Sequence, residues 1–225
     1  MGKLIVIEGA CDGIGKSTQY AKLCEHLESD GQVVIKHHFP SYNTQQGLPV
    51  EKYLSGEFGK PSELSPYFVN NLYANDRDVT WRSELQKPYN EGKMLVLDRY
   101  TPSSIMYQSA YMESEEEKRK FANYVMDYEY NVLRIARPNM VIFLYAPFEL
   151  VTKLRNARTQ NDGVTKDIHE TDIEFMKRVY DSGMWYARNL GWQMVKCNNG
   201  DEMRPIEDIH REIYSRVVRT LNLKK

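Results

Sequence analysis

The segment Leu4-Ile5-Val6-Ile7-Glu8-Gly9-Ala10-Cys11-Asp12-Gly13-Ile14-Gly15-Lys16-Ser17-Thr18 organises everything around it in this 225-residue chain. An apolar run of strand type empties into a glycine-containing turn, and an amphipathic helical pattern follows over 17–27. Ala10, four intervening residues, Gly15, Lys16 and Ser17 have the spacing of a phosphate-binding loop, with Ala10 where the first glycine usually falls. Gly13 and Gly15 let the backbone turn its N–H groups inward, and the positive end of the following helix deepens the concavity. Cys11, Asp12, Gly13, Ile14, Gly15, Lys16, Ser17 and Thr18 are therefore predicted to cradle the phosphates of a nucleotide cofactor. Lys16 would reach the β- and γ-phosphates, and the Ser17 hydroxyl would ligate Mg²⁺. A plain turn between strand and helix has no need of Lys and Ser at these offsets.

Outward from this segment, apolar runs at 4–7, 33–36, 94–97, 140–144 and 193–196 alternate with longer helical patterns. That alternation predicts an α/β fold, a five-stranded parallel sheet with helices on both faces, in one domain over 1–225. Ligands of open α/β sheets bind beyond the carboxyl ends of the strands, so the loops after these runs are expected to converge on one cleft. A polar, Gly- and Pro-containing stretch over 41–66 precedes a helix predicted over 66–90 that carries Tyr73 and Arg77 on one face. A second helix is predicted over 103–135, where Glu113, Glu115, Glu116 and Glu117 precede Lys118, Arg119 and Lys120 as a solvated face. Tyr124, Tyr128 and Tyr130 read as packing groups.

A net charge of −1 argues against a general nucleic-acid or membrane-surface binder, so any anionic substrate must be met by locally placed cations. Cys11, Cys24 and Cys197 are widely spaced, which suits reduced thiols and neither a disulfide framework nor a zinc site. No apolar stretch approaches a membrane span and the first residues run straight into a strand, so a soluble cytoplasmic protein is expected.

The third apolar run ends in Asp98, Arg99 and Tyr100, with Ser103, Ser104, Tyr107 and Gln108 after it. This stretch resembles the Asp-Arg-Tyr motif and downstream Ser/Tyr-Gln segment of thymidylate kinases. Phe39-Pro40, the run Tyr73-Ala74-Asn75-Asp76-Arg77 and the Ile206-Glu207-Asp208-Ile209 opening of the last helix are similar to that family too. The resemblance implies a P-loop NTPase-type three-layer fold with a mobile lid over about 153–170. It implies Mg²⁺-dependent phosphorylation of dTMP to dTDP with ATP as donor, towards dTTP, by a homodimer. It puts Tyr73 on the thymine face, Arg77 on the base edge, Arg99 on the acceptor monophosphate and Asp98 beside Mg²⁺ or Lys16. Asp12, Phe39, Pro40, Ser103, Tyr107, Gln108 and His169 complete the acceptor site. Gly13 stands where some members carry a catalytic arginine, so the lid must supply that charge: Arg158 for the nucleotide, and Arg155 or Lys166 for the transition state.

This chain departs from the family pattern in four places. One extra residue lies between Glu8-Gly9 and Gly15-Lys16, predicting a displaced or bulged start to the loop. Ser41-Tyr42 replaces an arginine for the acceptor phosphate, leaving more of that work to Arg99. Asp167-Ile168-His169-Glu170 lacks one lid arginine, and Tyr145 stands where the fourth strand usually ends in aspartate. Two other readings are carried forward. A deoxynucleoside kinase would want a carboxylate base beside a neutral hydroxyl; Phe39, Pro40 and Ser41 after the second apolar run offer no acid, and Glu8 would have to substitute. A nucleotide-dependent switch would have no need of a second small-molecule site.

Overall fold

The computed structural model describes the backbone of 1–162 and 172–223 and the side chains of 1–155 and 172–223. Five strands, β1 (Lys3–Gly9), β2 (Val34–His38), β3 (Met94–Asp98), β4 (Met140–Tyr145) and β5 (Gln193–Lys196), form one sheet in the order β2-β3-β1-β4-β5. All four pairings are parallel. Nine helices connect and cover them among the described residues: α1 (Lys16–Ser29), α2 (Leu48–Leu54), α3 (Pro66–Thr80), α4 (Gln86–Asn90), α5 (Thr101–Gln108), α6 (Glu115–Asp127), α7 (Phe148–Asp162), α8 (Ile173–Asn189) and α9 (Ile206–Leu221). A small hairpin, β6 (Asn198–Asn199) and β7 (Glu202–Met203), follows β5.

The apolar runs are continuous because the strands are covered on both sides. Along β1, Ile5 and Ile7 face the larger core cluster while Leu4 and Val6 face the smaller one with Trp81, Leu85 and Tyr100; all four are fully buried. Side chains alternate across a strand, so four consecutive residues serve two cores. The register aligns Ile7 and His38 with Asp98, and Tyr145 with Lys196, which brings the loops beyond these ends to one edge of the sheet.

The structure corrects several sequence expectations. Within the polar stretch 41–66 lies a helix that the sequence reading did not mark: Val50, Tyr53 and Leu54 of α2 pack on Val69 of α3 in a satellite cluster. The helix expected over 103–135 is broken between α5 and α6. Ser114 caps α6: the Glu117 N–H donates to its hydroxyl (3.1 Å), and the Glu117 carboxylate accepts from the Ser114 N–H (3.2 Å). The acidic run thereby becomes the negative first turn that a helix dipole favours. The segment 66–90 is helical throughout, although one π-turn at Trp81–Leu85 joins α3 to α4. β1 runs on to Gly9 and the Ala10 N–H still donates to the Leu144 carbonyl (2.8 Å), so the extra residue is taken up beyond this point, in the loop. Gly9 is required there, since a Cβ would lie 2.8 Å from the Ile14 side chain. No helix among the described residues is long and apolar enough to cross a membrane.

Candidate active site

The phosphate loop turns on two left-handed glycines, Gly13 (φ 91°) and Gly15 (φ 89°), a conformation that costs glycine little. Gly15 delivers the chain into α1, whose first turn has neither a side-chain cap nor an acidic residue. The leading N–H groups of this 14-residue helix are thus left for an anion. Ser17 and Thr18 are exposed at this end. Lys16 is buried and its ammonium is paired with Asp98 at the end of β3. Burial and the nearby Arg99 charge lower the Lys16 pKa, and Asp98 opposes that shift. Burial by itself would raise the Asp98 carboxyl, but the hydrogen bonds from His38 and Lys16 pull it down to about 2. His38 Nδ1 lies 3.2 Å from Asp98 Oδ2, so both carboxylate oxygens are engaged.

Beside the loop lies an open cleft. Asp12, Phe39, Pro40, Tyr73, Arg77, Arg99, Ser103, Tyr107 and Gln108, singled out in sequence, all line it, together with Tyr42, Leu54, Tyr100 and Ser104. They come from the loop, the end of β2, α2, α3, the end of β3 and α5. Tyr73 is half-buried, with Tyr53 edge-on against it (6.2 Å, 80°), so one side meets the α2 cluster and the ring still borders the cleft. The Gln108 amide has no hydrogen-bond partner among the described residues. Arg99 has φ 67°, unusual for a residue with a Cβ; its guanidinium pairs with Asp12 and its Nη1 donates to the Tyr107 hydroxyl (3.3 Å). Where an arginine was missed after Phe39-Pro40, Ser41 is buried, accepting or donating at His37 and Thr80 (3.0 Å each) while its N–H donates to Asp76 (2.8 Å).

Two expectations change on inspection of the geometry. Arg77 is fully buried rather than simply facing a ligand: Nε and Nη2 donate to the two Glu129 oxygens (2.7 Å each), and Nη2 also donates to Ser104 (2.8 Å). Only Nη1 has no described partner. Glu129, also held by the Thr101 hydroxyl (2.8 Å), escaped the sequence reading because it lies between Tyr128 and Tyr130 in a stretch that reads as packing. The Cys11 thiol faces the core, with burial pushing its pKa up to about 12, so only its backbone can meet a ligand. On the other side of the loop, a Cβ at Gly13 would meet Arg155 Cβ at 3.3 Å, which shows how closely α7 rides over the phosphate site. Arg158 lies further along α7, but its side chain, with Lys166 and His169, lies outside the described residues.

A cradle of N–H groups with a lysine, sharing Asp12 with an aromatic and guanidinium-lined cleft, is what a P-loop phosphotransferase with a small anionic acceptor requires. Comparison with known proteins narrows that class. The thymidylate kinase model matches residues 7–213, and the chain belongs to the thymidylate kinase family, ATP-dependent nucleoside monophosphate kinases that phosphorylate dTMP. It is 28% identical to the thymidylate kinase of Plasmodium falciparum over 221 residues, covering 97% of this chain and 90% of that protein. Over 195 residues it is 31% identical to the thymidylate kinase of Mycobacterium tuberculosis, covering 84% of this chain and 87% of that protein. Against the thymidylate kinase of Danio rerio the identity is 25% over 218 residues, covering 94% and 88%.

Proposed function

We propose that this protein, as a cytoplasmic homodimer, transfers the γ-phosphoryl group of ATP to dTMP with Mg²⁺, and that Arg99 grips the acceptor monophosphate between the two sites. The supporting observation is that one cleft beside the phosphate loop gathers Arg99, Tyr73, Gln108 and the free edge of Arg77. Tyr73 offers a face for stacking on thymine, while Arg77 Nη1 and the Gln108 amide offer hydrogen bonds to the base edge. A guanidinium suits a phosphate because it can donate two parallel hydrogen bonds. With Ser41 buried in its own network, Arg99 carries this work without a second arginine after β2.

The residues present fit Mg²⁺: a hydroxyl on Ser17 and a carboxylate on Asp98 are hard oxygen donors, and Mg²⁺ normally completes its shell with water and nucleotide phosphates. Ser17 would hold the ion directly. Asp98, engaged by Lys16 and His38, would do so through water. When bound, the ion neutralises charge on the β- and γ-phosphates. Gly13 leaves room for α7, and the contact at Arg155 supports this residue as the transition-state cation, with Arg158 for the nucleotide and Lys166 and His169 completing the lid. A monophosphate acceptor is already anionic, so no general base is needed. Glu8, which would have to stand in for the carboxylate base of a nucleoside kinase, is fully buried and engaged by three donors.

ADP formation from ATP and Mg²⁺ with dTMP, dUMP, dCMP, thymidine or no acceptor tests the reading, alongside Lys16→Ala. Turnover should be highest with dTMP and collapse in the variant. The 5-methyl group contributes only about 1–3 kcal/mol, so slow turnover of dUMP is expected. Turnover with thymidine but not dTMP would replace this reading by the nucleoside kinase. Light scattering reads the dimer.

A further inference from the structure

Glu8 is a charged residue at the centre of the sheet, completely buried at the end of β1. Its carboxylate accepts hydrogen bonds from the Tyr100 N–H (3.1 Å), the Ser103 N–H (3.1 Å) and the Ser103 hydroxyl (2.7 Å). All three donors lie in the turn from β3 into α5, immediately after Arg99. The preceding residue of β1 holds the other side of that turn, because the Ile7 carbonyl accepts from the Arg99 N–H (3.1 Å). Ile7 and Glu8 therefore grip the chain at Arg99, Tyr100 and Ser103, and these three residues all border the cleft.

This grip answers two local costs. Arg99 sits at φ 67°, which an L-residue with a Cβ adopts only when its surroundings hold it there. The first turn of α5 has no cap from its own sequence: Tyr100 provides no side-chain acceptor, and Pro102 has no N–H. A carboxylate reaching across from β1 supplies the missing acceptor.

We propose that Glu8 is a positioning residue for the acceptor site, fixing the direction in which Arg99 enters the cleft by anchoring Tyr100 and Ser103 from below. The proposal rests on the reading of Arg99 as the acceptor-phosphate ligand. Both N–H groups share Oε1, so the anchor persists in either protonation state, the Ser103 hydroxyl turning to accept when Oε2 carries a proton. The charged groups facing Glu8 are Arg99 and Lys16, and both favour ionisation. Burial outweighs them and raises the carboxyl to about 7, within the range where the enzyme would work. A carboxyl whose folded pKa is raised favours folding as pH falls. The anchor itself, made in both protonation states, should depend little on pH over this range.

The test is equilibrium binding and KM of dTMP at pH 6, 7 and 8 for the wild type, Glu8→Gln, Glu8→Ala and Arg99→Ala, with KM for ATP measured in parallel. A glutamine oxygen can accept both N–H groups while the Ser103 hydroxyl reverses to accept from its amide, so Glu8→Gln should bind dTMP within about threefold of wild type at pH 8. Its profile should follow that of wild type, both keeping the dependence of the phosphate monoester itself, whose second ionisation is near pH 6. Glu8→Ala strands buried donors and should weaken dTMP by about tenfold or more, with the ATP KM unchanged. A loss of dTMP affinity of about tenfold or more in a folded Glu8→Gln enzyme would show that the charge and not the anchoring hydrogen bonds is what matters, and would overturn the proposal whether or not the alanine variant folds. So would a folded Glu8→Ala enzyme with normal dTMP affinity. Unchanged dTMP binding in Arg99→Ala would instead remove the reading of Arg99 on which the proposal stands.

Discussion

Two arginines border the same cleft and are held in opposite ways. Arg77, on α3, has a side chain only 1% exposed, and its Glu129 partner is 0% exposed; two 2.7 Å bonds and a third to Ser104 consume most of its donors. Arg99, after β3, keeps 17% of its side chain exposed and pairs with an Asp12 that is 31% exposed. The backbone of Arg77 is ordinary helix, whereas that of Arg99 is left-handed. A buried ion pair contributes little net stability when complete and is expensive to break, because the survivor is an uncompensated buried charge. A half-exposed pair can exchange its carboxylate for another anion at small cost. Arg77 is thus part of the wall of the cleft, with one edge left for a ligand, while Arg99 is the exchangeable cation.

The sharpest way to break this contrast is Glu129→Ala. It strands Arg77 and should cost about 3–5 kcal/mol of stability, lowering Tm by roughly 10 °C in a chain of this size. A thermal melt within 2 °C of wild type would show that the pair is not structural. Arg99→Ala should do the reverse: about a 100-fold loss in kcat/KM for dTMP, from the lost charge-assisted hydrogen bonds, with stability changed by ~1 kcal/mol or less. Equal damage to Tm would erase the distinction between the two arginines. The smallest effect separates side chain from backbone. Arg99→Gly relieves the left-handed strain that Arg99→Ala retains, so it should be more stable than the alanine variant by about 0.5–1 kcal/mol in denaturant unfolding at similar activity. A less stable glycine variant would show that the positive φ carries no strain.

Much of the candidate site was legible because its signals are local. The phosphate loop depends on a fixed spacing of Gly13, Gly15, Lys16 and Ser17, and the five strands on short apolar runs buried on both faces. The nine cleft residues were legible only through their resemblance to a family, since they come from segments far apart in the chain. What escaped has a common cause. Glu129, Glu8 and His38 acquire their roles from partners 52, 92 and 60 residues away in the chain, namely Arg77, Tyr100 and Asp98, and no local pattern marks a carboxylate that will be buried against such a partner. The helix break before Ser114 does carry a local mark, the Ser114/Glu117 capping box, which the surrounding run of charges obscures, whereas the π-turn at Trp81–Leu85 lies within a segment that is helical on both sides.

By itself, the sequence determined the class of fold and the phosphate loop, because both follow from short-range geometry: apolar runs that must be buried, glycines that must turn, a lysine and a serine at set offsets. Only the tertiary structure decided which arginine is spent on architecture and which is left for a ligand. Both are the same side chain beside an acid-containing fold, and the difference lies in burial. Around Arg77 the packed helices exclude water and make Glu129 an obligatory partner, while around Arg99 the open cleft keeps water and makes Asp12 a replaceable one.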